Sequence, residues 1–299
     1  MILPSETSML VIGGTGGTGS WFARYFKGCG FQVSVWGPGK KVEVAEKMNV
    51  QFASDLNKAV EESDVVLLSV PIKKTVEVIR DVAPKMRPGS LLMDVTSLKS
   101  EPMEAMMRYA AAGVEVLGTH PMFGPTMPTI KGQTVILVPG PKRCEKWLSI
   151  METMFRRDGA NVEVLDAEKH DEIMAVVQAL THFAYISVGA ALNSLDFDVA
   201  HSRRFMSPVY EIMIDFVGRI LAQSPELYAS IQENPKAKMV RDAYIEECVK
   251  LAKRADEGDV EGFMEIMKDA AEHFQERDQA LVRSDRLIKL WIENRMEDV

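Results

Sequence analysis

Two short stretches carry residues whose types and spacing could do chemistry. In "VIGGTGGTGSWFARYF", Gly14, Gly16 and Gly19 take the GxGxxG spacing between an apolar run and an amphipathic one. The first glycine permits a tight turn, the second lets backbone approach a pyrophosphate, and the third lets a helix pack on a strand. Gly14, Thr15, Gly16, Gly17, Thr18 and Gly19 are therefore the expected dinucleotide cradle, where helix N-terminal N–H groups and their partial positive charge meet an anion. A nucleotide-hydrolase phosphate loop needs Gly-Lys-Ser/Thr, whereas the chain has Gly19-Ser20-Trp21. The second stretch is "GTHPMFGPT", residues 118–126. Only five histidines occur in 299 residues, and His120 stands where a strand-like run meets a proline-bearing loop. A neutral imidazole can take a proton from a hydroxyl as hydride leaves, because its pKa lies near working pH. Pro121 limits the backbone of His120, and Met122 and Phe123 can dock in a core to hold it. On local sequence alone, a histidine that merely satisfies loop backbone is an equal alternative.

These groups need elements to position them. From Met9 to Leu165 the chain alternates apolar runs with amphipathic stretches such as "WFARYFKGCG" and "KTVEVIRDVAPKM". The strand candidates are "MLVIG", "FQVSVW", "VVLLSVP", "SLLMDV", "VEVLGTH", "TVILVP" and "VEVLD". Near-continuous apolar strands alternating with helices imply a parallel sheet covered on both faces. The expected fold class is α/β: a Rossmann-type, doubly wound, mainly parallel sheet over residues 1–165, then an all-α domain over 166–299. Ligands of such sheets bind at the carboxyl ends of strands. That places the His120 loop at the binding edge, together with Ser97 and Lys99 of "DVTSLKS" and with Val70 and Pro71 beside the cofactor. The second strand usually ends in an acid that holds the ribose of NAD. Here "VSVW" runs into Gly37-Pro38-Gly39-Lys40-Lys41. With no carboxylate and two lysines, the turn favours NADP over NAD, unless Lys40 and Lys41 are ordinary surface charges.

After Asp166 no strand pattern remains. Residues 167–194 form a helix apolar almost all round, which implies burial on every side. In so small a domain, that hints at a second chain supplying cover, hence a homodimer. The charged tail is helical in pattern, and its charges read as solvated faces. A net charge of -8 argues against nucleic-acid binding. Cys29, Cys144 and Cys248 lie far apart, suggesting neither a disulfide framework nor a metal site. The N-terminus does not read as a signal peptide, and no apolar run is expected to reach membrane-spanning length, so a cytoplasmic protein is the plain reading.

Several blocks together resemble one known family. "IGGTGGTG", "VVLLSVPI", "DVTSLKS", "THPMFGPT", "EKHDEIMAVVQALTHFAYISVG" and "SPVYEIMIDFVGRILAQ" are similar, in colinear order over residues 9–235, to the prephenate dehydrogenases of tyrosine biosynthesis. Arogenate and cyclohexadienyl dehydrogenases belong to the same family. The resemblance implies oxidative decarboxylation of prephenate to 4-hydroxyphenylpyruvate and CO2, with hydride passing to a nicotinamide. It implies that His120 hydrogen-bonds to the ring hydroxyl and assists its deprotonation, with Ser97 supporting that histidine and hydroxyl. It also implies that His182 lies near substrate and nicotinamide, and that Arg219 binds a substrate carboxylate.

These assignments agree with the chemistry of the residues. A dicarboxylate substrate in an acidic protein needs a placed guanidinium with forked donors. Gln178 and His182 are four apart and share a helical face, suggesting one wall of a cleft. Local sequence alone favours blander roles: a satisfied core histidine for His182, and an intrahelical pair with Asp215 for Arg219. Arg203 and Arg204 are alternative carboxylate binders, more simply read as loop residues in solvent. His170 is expected to cap or brace the long helix. The rival enzyme is a 3-hydroxyacid or imine-type reductase, which typically carries a lysine where this helix offers Gln178 and His182. A cofactor-binding sensor without activity is the rival from another class.

Overall fold

Strands form where apolar runs are short, unbroken and rich in Val, Leu and Ile. The computed structural model describes residues 4–297. Its strands are β1 (Ser8–Ile12), β2 (Gln32–Trp36), β3 (Gln51–Phe52), β4 (Val65–Leu68), β5 (Leu91–Asp94), β6 (Glu115–Pro121), β7 (Thr134–Pro139) and β8 (Asn161–Val164). They make one sheet in the order β3-β2-β1-β4-β5-β6-β7-β8. The six strands from β3 to β6 are parallel, while β7 pairs antiparallel with β6 and β8 follows β7 in parallel. A parallel return needs a crossover, usually a helix. The connection 122–133 contains none, so the chain comes back antiparallel. The two-residue β3 was not among the strand candidates; "QF" is too short to show a period.

The helices of this first unit are α1 (Gly17–Gly28), α2 (Val42–Met48), α3 (Leu56–Glu62), α4 (Ile72–Val82), α5 (Ser100–Tyr109), α6 (Lys146–Arg157) and α7 (Ala167–Met174). Alternate strand residues face opposite layers, as the period of two requires. Met9, Val11, Val65, Leu67, Leu91 and Met93 join α1 and α6 through Phe22, Phe26, Trp147 and Phe155. Leu10, Ile12, Val66, Leu68 and Leu92 face α4 and α5 through Ile79, Val82, Met103 and Met106. Each fully buried side chain of this size contributes about 1.5–3 kcal/mol, so the two layers hold the sheet rigid beneath its loops. Arg143 satisfies the end of α5, donating to the carbonyls of Met107, Ala110, Ala111 and Val114 at 2.8–3.1 Å.

Packing divides the chain after Met174, into Met1–Met174 and Ala175–Val299. The difference from a 165/166 division is one short helix, α7, which packs on α5. The second unit begins with a π-helical turn, Ala175–Leu180. It continues as α8 (Thr181–Ser194), α9 (Val199–Ser202), α10 (Pro208–Leu221), α11 (Pro225–Ile231), α12 (Ala237–Asp256), α13 (Val260–His273) and α14 (Arg277–Glu297). Two expectations need correction here. The apolar α8 is not buried on every side: none of its residues is fully buried within the chain. By length and composition, moreover, the helical stretch Ala167–Ser194 is long and apolar enough to cross a membrane, with 28 residues and a mean hydropathy of 1.5 in its most apolar window. Within the chain most of α8 is half-buried.

Candidate active site

The glycine turn joins β1 to α1 where the strand order reverses, between β1 and β4. Such a reversal opens a crevice beyond the strand ends. The glycine that needs a left-handed backbone is Gly13, with φ of +83°, and not Gly14. A Cβ on Gly13 would lie 2.1 Å from the Ser69 carbonyl, in the turn after β4 that also carries Val70 and Pro71. Gly14 is required for room, because its Cβ would strike Val35. Gly19 lets α1 close on Gly13, whose carbonyl would be 2.2 Å from an added Cβ. Gly16 is exposed, and its Cβ would meet only the Gly13 carbonyl, at 3.4 Å. It caps α1 without a side-chain hydrogen bond, and no acid occupies the first turn. An open backbone, uncapped N–H groups and no carboxylate suit a pyrophosphate. The turn after β2 lies alongside. An added Cβ on the buried Gly37 would be 2.8 Å from Thr15 Oγ1, so Thr15 fills the space an acid there would use. Lys40 and Lys41 follow, both exposed.

His120 belongs to β6 itself rather than to the loop beyond it, paired across the sheet with Ile136. It is 3 % exposed. The loop that follows is tied to α1, where Trp21 Nε1 donates to the Met127 carbonyl at 2.7 Å and the Trp21 ring meets Phe123 edge-on at 4.9 Å. Pro125 lies over the glycine turn, its Cγ 3.2 Å from where a Cβ on Gly17 would be. Met122 and Phe123 both dock, partly buried, against the core as expected, though on opposite layers of it.

The partner of His120 is a residue fifty positions away. His120 Nδ1 lies 2.8 Å from His170 Nε2. His170 Nδ1 lies 2.8 Å from Asp171 Oδ1. The carboxylate of Asp171 also receives the backbone N–H groups of Lys99 and Ser100, each at 2.9 Å, where α5 begins. Burial alone would raise the Asp171 pKa, but these donors and His170 outweigh it and hold the carboxyl below its usual range. An ionised Asp171 only accepts, so His170 donates from Nδ1 and accepts at Nε2. His120 must then donate from Nδ1, which leaves Nε2 as its acceptor nitrogen. Burial lowers the His120 pKa well below the ordinary value, aided by the charge of Lys99 and by His170 and opposed by Asp171. His170 is lowered too, by burial first and by Lys99, against the pull of Asp171 and Asp94. Both imidazoles are therefore neutral near pH 7.

Ser97 is half-buried in the turn after β5 and makes no hydrogen bond to His120 among the described residues. The support expected of Ser97 comes from His170, which braces His120 rather than its own helix. Lys99 lies deeper than expected. Its ammonium, wholly buried, pairs with Asp94 at 2.6 Å and donates to the carbonyls of Thr96 and Leu98 at 2.7 and 3.2 Å. This knot shapes the turn carrying Ser97. It also explains Gly118, since a Cβ there would be 2.8 Å from Lys99 Cδ and 2.9 Å from Met103 Sδ. Among the described residues no group of His, Cys, Asp and Glu side chains is placed to hold a metal ion.

In the second unit, Gln178 sits in the π-helical turn and His182 in the first turn of α8. The Nδ1 atom of His182 is buried with no hydrogen-bond partner among the described residues. Burial lowers its pKa, so this imidazole too favours the neutral form. Its ring meets Tyr228 of α11 edge-on at 4.7 Å. Tyr228 was not among the expected residues; it lies forty-six positions from His182, and nothing local marks it. Arg219, at the exposed end of α10, is not paired with Asp215, which holds Arg203 at 2.6 Å instead. Arg203 is therefore paired while still exposed to solvent, as expected for a surface charge. The Arg219 charge acts on Tyr228, drawing its pKa down against the larger upward effect of burial.

Comparison with known proteins covers both units. The family model described as "Prephenate dehydrogenase, nucleotide-binding domain" matches residues 22–164. "Prephenate dehydrogenase, dimerization domain" matches residues 166–269. A "Probable arogenate/prephenate dehydrogenase" of Methanocaldococcus jannaschii is 45% identical over 90% of this chain and 61% of its own length. The chain thus spans about three-fifths of that curated relative. A "4-amino-4-deoxyprephenate dehydrogenase" of Streptomyces pristinaespiralis is 31% identical over 85% of this chain and 86% of its own. Among solved structures, the Aquifex aeolicus prephenate dehydrogenase in complex with hydroxyphenyl propionate and NAD+ shares the fold. It matches with a TM-score of 0.72 at 19% identity, over 90% of this chain and 98% of that one.

Proposed function

The chain belongs to the prephenate dehydrogenase family, and from that premise we propose that it oxidatively decarboxylates prephenate, or its amino counterpart arogenate, with NADP or NAD. The observation that carries this reading is His120: a neutral, buried imidazole at the carboxyl edge of the sheet, its acceptor nitrogen fixed as Nε2 by His170. The bound nicotinamide supplies the hydride acceptor. His120 Nε2 takes the proton of the ring hydroxyl while the carbinol carbon loses hydride. The bond to the departing carboxylate then breaks, and its electrons make the ring aromatic. Gly16, Gly17, Thr18 and the start of α1 hold the pyrophosphate, with Val70 and Pro71 across the crevice. Thr15, Lys40 and Lys41, beside a Gly37 that has no carboxylate, favour the 2′-phosphate of NADP. His182 and Gln178 are assigned to substrate and Arg219 to one of its carboxylates. Ser97 is kept as a second group for the hydroxyl, now acting without a bond to His120.

The test is a steady-state assay of prephenate and of arogenate, each with NAD and with NADP, following reduced nicotinamide. We expect turnover with at least one substrate and a lower KM for NADP. Turnover with arogenate alone keeps the chemistry and shifts the substrate. No turnover in any pairing, from protein shown to bind cofactor, sinks the reading.

We further propose that a second copy covers α8. The helix is apolar with no fully buried residue, and the domain that contains it matches one described as a dimerization domain. Sedimentation equilibrium at micromolar concentration should give twice the 33.4 kDa of one chain. A stable monomer would overturn the homodimer.

A further inference from the structure

Two buried histidines in line with a buried carboxylate can do more than hold a tautomer. We propose that His170 and Asp171 are a proton relay for His120: when Nε2 of His120 gains a proton, Nδ1 passes its own to His170 Nε2, and the positive charge settles on the imidazole beside Asp171. This rests on the reading of His120 as the group that takes the substrate proton. The balance is simple. One proton leaves the hydroxyl, His120 exchanges its Nδ1–H for an Nε2–H and stays neutral, and His170 becomes an imidazolium. After product leaves, His170 returns a proton to His120 Nδ1 while Nε2 releases its own to entering water, which restores the starting tautomers.

The geometry permits the transfer because both bonds are 2.8 Å and lie wholly inside the first unit. His120, His170 and Asp171 are 3 %, 0 % and 1 % exposed, so water does not compete for these protons. The surrounding charges set its direction. Lys99, from the turn before α5, acts on both histidines and disfavours a cation on either. Asp94 of β5 already pairs with Lys99 at 2.6 Å. Asp171 is bonded to His170, so a charge on His170 is offset by direct contact. The arrangement reconciles two demands that oppose each other. The base stays unprotonated and ready near neutrality, yet it gains a place to send the proton during reaction. His170 and Asp171 are positioning residues in this scheme, since neither touches the substrate.

A static brace and a relay make different predictions. The full chain labelled with 15N-histidine, titrated toward acid and followed by ring nitrogen–proton correlation, reads the protonation states without any substrate. We expect His120 as the Nδ1–H tautomer at neutral pH. The first imidazolium to form should be His170, with His120 switching to Nε2–H. A cationic His120 beside a neutral His170 overturns the proposal, whatever the activity. The kinetic arm uses His170→Gln, whose side-chain carbonyl can still accept the His120 Nδ1–H but cannot take its proton. A relay predicts a fall in kcat of at least ~10-fold with KM little changed. A brace alone predicts near wild-type kcat, which also overturns the relay. Circular dichroism and cofactor titration of the variant establish that it folds. Failure of the underlying reading is visible separately, as an undiminished rate in the His120→Asn protein.

Discussion

His120→Asn should lower kcat by about 10²–10⁴-fold, the usual contribution of a positioned general base. That corresponds to about 3–5 kcal/mol of activation free energy. Asparagine suits the test because its amide can still donate toward His170, leaving β6 and the relay geometry in place. Cofactor affinity should therefore change little, as measured by titration of nicotinamide fluorescence. The pH profile supplies an independent check. A proton on His120 Nε2 blocks uptake of the hydroxyl proton, wherever in the His120–His170 pair the charge rests, so kcat/KM should rise with pH as that proton is lost and then level off. Local sequence placed that limb near the ordinary histidine value, on the order of 6.5. Burial, reinforced by Lys99 and His170, moves it well to the acid side, so the plateau should already be reached at neutral pH. The limb should vanish in His120→Asn. A variant within tenfold of wild type, or one that keeps the same acid limb, removes His120 from the reaction.

The second large effect is on stability. Lys99→Met leaves Asp94 buried with its ammonium partner gone, since both side chains of this ion pair are 0 % exposed. Breaking a buried pair from one side costs about 3–5 kcal/mol, because the remaining charge loses both water and partner. The urea midpoint of the first unit should fall accordingly, read from Trp21 and Trp147 fluorescence. Adding Asp94→Asn should recover much of the loss, since a neutral pair no longer strands a charge. Where enough folded Lys99→Met protein remains, losing the positive charge should raise the His120 pKa and shift the acid limb back toward neutrality. A single variant within about 1 kcal/mol of wild type, the range of an exposed pair, would show that this lysine is not the structural centre of the turn.

Much of the molecule follows from short-range rules that can be read along the chain. The apolar runs ending at Ile12, Leu68 and Asp94 become parallel strands because their unbroken Val and Leu content suits a sheet covered on both faces. The glycine spacing of 14, 16 and 19 marks the tight β1–α1 turn because sterics at a strand–helix junction are local. Even so, it is Gly13 that takes the positive φ, as only the neighbouring Ser69 carbonyl reveals. The reversal of β7 could have been inferred from the helix-free connection before it, while the two-residue β3 is too short to carry a pattern.

The sequence by itself determined the fold class, the glycine turn between β1 and α1 and the singular position of His120. Tertiary structure alone decided what surrounds that imidazole. His170 and Asp171 look like the opening of a helix, and they reach His120 only because α7 packs on α5. Lys99 looks like a solvent-seeking cation. Its burial becomes visible only when Gly118, on a different strand, is seen to leave room for its stem. In the second unit, Asp215 chooses Arg203 over Arg219, and Tyr228 comes up against His182. The reason is common to all of these. Periodicity and backbone sterics act over a few residues, whereas these contacts join residues on different elements, up to fifty positions apart, that meet only after the layers have packed.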